Sequence, residues 1–215
     1  MTTSQPIPNP GEVIKTPLPD SMDGIRFEVA RLSKYILDGA KDPLVIATAQ
    51  KIAELSLGTA RQLKQGVTEK TRHLITLKGI HAWCHTNFEH VSNPAGAEVI
   101  KTPARMLREL EIPEEFARAF WEPIRNAMAK KREKLTLPKP RITGSSGVAV
   151  CLLLTLSVAV GIMPIRMRFG GHAGTVHYVW GNVYAAGKWH DIDILLPKFG
   201  KHEVFEHYEL VEIPV

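Results

Sequence analysis

Between Gly147 and Ile165 the chain runs for 19 residues without a charged side chain. That length is close to what a membrane crossing requires. The distribution inside the run argues for something else. Its dense apolar part spans only Val148 to Val160, and polar Thr155 and Ser157 interrupt it. Gly161 and Pro164 would break a helix before a full span. Arg141 and Arg166 flank the run, so positive charge encodes no orientation. The pattern predicts a fully buried core helix from about Ser146 to Val160, with no membrane span.

A chain of 215 residues can surround such a helix with a core of its own. Upstream, Ile25, Val29, Leu32 and Ile36 recur at helical spacing behind Asp23, which reads as an N-cap. Pro43 sits where a second helix starts, with Val45, Ala49 and Ile52 on one face and Gly58 as its expected end. A third helix is predicted from about Thr68 to Cys84, with Leu74, Leu77, Ile80 and Cys84 on one stripe. A loop at Asn93-Pro94 and Gly96 follows. Thr102-Pro103 opens a short helix through Leu110, and Pro113 another carrying Phe116, Phe120 and Ile124.

After Pro140 the character changes. Beyond the buried helix come short runs that read as strands: Ile165–Phe169, Val176–Tyr184, Lys188–Leu195 after a turn at Gly187, and Tyr208–Ile213 as an edge or surface strand. Helices first and an antiparallel sheet last make an α+β pattern.

Two regions bear on partners. Pro6, Pro8, Pro10, Pro17 and Pro19 forbid a helix in the first 20 residues and favour an extended arm, which a neighbouring molecule would have to order. No charged segment leads into an apolar one there, so no signal peptide is read. The net charge of +5 matches one stretch, Glu122 to Arg141, with seven bases against two acids. No aromatic residues interleave with those bases, so nucleic acid is not expected as a partner and a solvated helix end is the plainer reading. Lys130–Arg141 would carry any nucleic-acid or envelope contact.

The candidate chemistry begins at the turn Gly144-Ser145-Ser146-Gly147, which opens the buried helix. A nucleophile at a helix N-terminus gains from the dipole and from free backbone N–H groups. His177 starts one strand and Asp193 ends the next, and neighbouring antiparallel strands can set a base beside its orienting carboxylate. Together they offer a Ser146, His177, Asp193 triad. Taken singly, Ser146 reads as a cap, His177 as structural and Asp193 as a turn residue. Cys151, nearly a turn and a half further along the helix, reads as a buried core thiol, as does Cys84. His172 lies in a glycine-rich turn and reads as a loop histidine. His81 and His85 share a helix face at i and i+4, as metal ligands can, with His90 near the helix exit. No third ligand presents itself, and neither a metal nor a cofactor is expected.

These residues resemble a known family. Gly144-Ser145-Ser146, the helix, Gly161-Ile162-Met163-Pro164-Ile165-Arg166, His177-Tyr178-Val179-Trp180 and Gly187-Lys188-Trp189-His190-Asp191-Ile192-Asp193 look like the transglutaminase-like superfamily. Ser146 stands 15 positions before Gly161, where that family has its cysteine, and Asp193 stands 16 after His177. The block Asn93-Pro94-Ala95-Gly96-Ala97-Glu98, then Lys101 to Leu107, is similar to the subset found in tailed phages and prophages. The resemblance covers about residues 70–197. It implies a papain-like core, with a buried helix packed on an antiparallel sheet, over 67–215. A helical region at 23–66 and the proline-rich arm at 1–22 precede it.

The departure lies at the nucleophile. Where those relatives have Asp-Cys-Asp, this chain has Ser145-Ser146-Gly147. A thiol titrates near ~8.5 and is readily activated, whereas a hydroxyl must lose its proton during attack. The resemblance therefore implies a structural protein of a tailed phage particle, in the tail or baseplate, rather than an enzyme. It would be made in the host cytoplasm and would contact other virion proteins through residues 1–22, with a homo-oligomer as a further partner state. The alternative is an amide hydrolase or acyl transferase acting on cell-wall peptide or protein through Ser146, His177 and Asp193.

Overall fold

A computed structural model of the chain describes residues 22–91, 101–110, 141–172, 175–202 and 207–212, with side chains over 29–91, 101–110, 141–171 and 178–202. Three helices come first: α1 (Met22–Gly39), α2 (Pro43–Gln62) and α3 (Glu69–Asn87). Asp23 lies inside α1 rather than capping it. Asp42 caps α2, accepting from the backbone N–H of Leu44 and Val45, and Pro43 holds the first helical position. Gly58 does not end α2. Leu57 and Ala60 continue its buried face, and that burial outweighs the roughly 1 kcal/mol a mid-helix glycine costs. Thr68 and Thr71 close a reciprocal capping box at the start of α3.

Next come β1 (Phe88–His90), α4 (Pro103–Arg108) and β2 (Ile142–Gly144). β1 and β2 pair in parallel, Phe88 opposite Ile142 and His90 opposite Gly144. The remaining elements are α5 (Ser146–Ala159), β3 (Ile165–His172), β4 (Thr175–Ala185), β5 (Lys188–Ile192) and β6 (His207–Glu212). The last four form an antiparallel sheet in the order β5-β4-β3-β6, so β6 is an edge strand. The described chain is α+β.

The uncharged run became the centre of the molecule. Every residue of α5 from Ser146 to Ser157 is buried, against α1, α2, α3, α4 and the sheet. A helix apolar on all sides needs partners on all sides, and here it has them. Its two polar interruptions satisfy themselves: the Thr155 hydroxyl donates to the Cys151 carbonyl (2.6 Å) and that of Ser157 to Leu153 (2.8 Å). No described helix is long and apolar enough to cross a membrane. On the sheet side the approach is close. A Cβ at Gly181 would lie 2.9 Å from Leu153 Cδ2 and 3.1 Å from Leu154 Cδ2.

One apolar core joins α1 and α2 to α3, α5 and the sheet. The 23–66 region and the start of the following one therefore share their interior. The proline-rich arm through Ser21, the 93–98 block, the Pro113 helix and the basic stretch up to Pro140 lie outside the described residues.

Candidate functional site

Ser146 is the first residue of α5 and is buried. β2 ends two residues before it, and Ser145 between them is extended (φ −76°, ψ 177°). Ser145 occupies the cap position, yet its side chain makes no capping bond, and its Oγ is buried with no hydrogen-bond partner among the described residues. No Ser145 side-chain bond therefore takes the N–H groups of the first turn. β2 is braced from behind. Lys101 Nζ donates to the Thr143 carbonyl (2.6 Å) and pairs with Glu109 (2.7 Å), which in turn accepts from the Thr143 N–H (3.3 Å). Thr102 caps α4 beside this brace, and buried Pro103 packs against Gly39, where a Cβ would come within 2.8 Å.

The connection from α5 to β3 is short, from Ala159 to Ile165, so β3 begins near the C-terminal end of the helix. Because β3, β4 and β5 are successively antiparallel, β4 starts and β5 finishes at the same end of the sheet. His177 lies near the start of β4 at a β-bulge. Tyr178 pairs with Gly170 and Val176 with Gly171, which leaves His177 as the extra residue. Its side chain, like that of His172 at the end of β3, lies outside the described side chains.

Asp193 follows the last residue of β5 and is 4% exposed. Its Oδ2 accepts from the Tyr178 hydroxyl (2.8 Å) and its Oδ1 from the Leu195 N–H (2.9 Å). The second bond closes a turn directly after the strand. The fold thus brings Asp193 against the residue next to His177, on the neighbouring antiparallel strand.

The histidines of α3 act on the same segment. His81 Nε2 lies 3.2 Å from the Asp193 carbonyl and 3.1 Å from that of Leu196. His85 Nδ1 lies 2.8 Å from the Ile194 carbonyl. Carbonyls only accept, so these ring nitrogens donate. Burial holds the His81 pKa below its usual 6.5, against a smaller upward pull from those backbone bonds. The i, i+4 pair is a clamp on the turn that carries Asp193. Among the described residues no group of three or more His, Cys, Asp or Glu is placed to hold a metal ion. His90 is exposed at the end of β1. Cys151 is buried in α5, and burial pushes the Cys84 thiol pKa up.

A second cluster, which sequence reasoning missed, covers the sheet face turned away from α5. Arg168 Nη1 reaches both carboxylate oxygens of Asp191 at 3.0 Å. Trp180 Nε1 (3.2 Å) and Asn182 Nδ2 (2.9 Å) donate to the same group. The His202 ring stacks on Trp180 at 4.8 Å, and the Arg166 guanidinium lies 3.7 Å above the Trp189 ring. The signal was available: Arg166 and Arg168, and Tyr178, Trp180 and Asn182, alternate with period two against apolar neighbours.

No family model matches the chain, and no curated protein or solved structure matches it.

Proposed function

We propose that this chain is a transglutaminase-like protein with a papain-like core whose nucleophile position has lost its thiol. In this reading it is a structural component of a tailed phage particle, in the tail or baseplate. The order of elements supports the family reading: a buried helix beginning at Ser146, then β3, then β4 carrying His177, then β5 leading to Asp193. The observation that carries the loss of catalysis is the pairing of a buried serine hydroxyl with a carboxylate engaged by the fold. Each oxygen of Asp193 accepts a bond that shapes the sheet end, one from Tyr178 and one from Leu195. A site built for a thiolate–imidazolium pair gives a hydroxyl little activation. Residues 1–22 would then carry contacts to neighbouring virion proteins in the particle.

One observation favours the enzyme reading. The Ser145 side chain leaves the first-turn N–H groups of α5 to other partners, which suits an oxyanion beside Ser146. There Ser146 would attack an amide carbonyl, His177 would take its proton and Asp193 would orient the imidazole. The two readings part in one experiment on whole particles. Ser146→Ala should leave assembly and infectivity unchanged, and deletion of residues 1–20 should block assembly. Labelling of Ser146 by an alkyl fluorophosphonate, together with loss of infectivity in Ser146→Ala, would overturn the structural reading.

A further inference from the structure

A cavity of about 360 Å³ opens between the end of α3, the β1–β2 pair and the turn after Asp193. It has two kinds of wall. Phe88, Ile194 and Leu195 give an apolar side, and His85, His90 and Arg141 give a basic one. None of its described lining residues is acidic. The alternation of β1 accounts for that. Phe88 and His90 share one face of the strand, and Glu89 between them belongs to the other.

The two histidines differ in what they offer. His85 Nδ1 donates to the Ile194 carbonyl, which fixes its tautomer. Its Nε2, on the far edge of the ring, then carries a lone pair and accepts rather than donates, so the anion's donors must come from His90 and Arg141. Thr86 also lines the cavity, but its hydroxyl hydrogen goes to the Ala82 carbonyl of its own helix and not to the cavity. Arg141 is exposed, carries a permanent charge and presents a planar fork of N–H donors that matches a carboxylate.

We propose that this cavity binds a small organic carboxylate: an anionic head held by Arg141 with His90, and an apolar body laid on Phe88, Ile194 and Leu195. The volume lies within the range of small-molecule sites. The proposal is independent of the fate of Ser146, because no atom of the triad positions is needed for it.

Calorimetric titration of the full chain tests this with three probes: 3-phenylpropionate, its neutral amide 3-phenylpropanamide, and inorganic phosphate. The carboxylate should bind at least about tenfold more tightly than either of the others, since the amide lacks the charge and phosphate lacks the apolar body. Arg141→Gln should weaken the carboxylate about tenfold and leave the amide unchanged. His90→Gln should weaken it less. Arg141 and His90 are exposed, so unchanged circular dichroism is expected for both variants. Equal binding of acid and amide, equal binding of acid and phosphate, indifference to Arg141→Gln, or no binding up to about 10 mM would each overturn the proposal.

Discussion

Helices α3 and α5 lie against each other in one core and are held there by different physics. α5 is buried from Ser146 to Ser157, with Leu152, Leu153, Leu154 and Leu156 fully enclosed, and its side-chain polar bonds shown here close within the helix itself. Its attachment is contact area, which has no direction. α3 buries only Thr76, Leu77, Ile80, His81 and Cys84, and two of its side chains, His81 and His85, donate to carbonyls more than a hundred residues away. The contrast separates two jobs. α5 gives the molecule its cohesion, and α3 fixes where one particular turn sits.

The largest effect that would test this contrast is a truncation in α5. Leu153→Ala should lower unfolding stability by about 2–5 kcal/mol in a denaturant titration, whereas Leu154→Met, which keeps volume, should cost less than about 1.5 kcal/mol. If both cost the same, α5 is held by something more specific than contact. His81→Leu comes next. It keeps bulk but removes the donor to two carbonyls, and should cost about 1–3 kcal/mol. Amide hydrogen exchange should speed up at residues 193–196 ahead of the rest of the core. Uniform acceleration everywhere would mean that His81 is only packing.

The same residue gives a dependence on pH. Its folded pKa lies below 6.5, the value of the unfolded chain. Between the two values the unfolded state holds a proton that the folded state does not. The His81 contribution is thus complete above about pH 6.5 and declines as pH falls through that value. His81→Gln should flatten this part of the stability profile, and an unchanged slope would remove His81 from it. The smallest effect belongs to Thr155→Val. That hydroxyl bonds a carbonyl of its own helix, so its loss should stay within about 1 kcal/mol, well under that of His81→Leu.

The same contrast sorts what the amino-acid sequence revealed. An uncharged run, a proline at a helix start and period-two alternation are local patterns. They identified α5, the start of α2 and the four strands of the sheet to within a few residues. β1 and β2 are three residues each, too short for alternation to register. Gly58 misled because a single glycine was weighed above the apolar face that continues at Leu57 and Ala60. The histidine clamp was out of reach, because His81 and the Asp193 carbonyl are 112 positions apart and a backbone acceptor leaves no mark on residue identity. Tyr178 was nearer to hand. It follows His177 directly, and a hydroxyl there on a strand adjoining the Asp193 segment was a ready partner for the carboxylate.

The bulge in β4 bears on how this molecule can be taken apart. Gly170 and Gly171 are consecutive, yet their partners Tyr178 and Val176 are not, so the zipper of the sheet skips the imidazole-bearing position. Excising that single residue would regularise the ladder rather than unzip it. Shortening the chain by one at 177 would therefore remove that imidazole while leaving the flanking pairs, Gly170 with Tyr178 and Gly171 with Val176, in place.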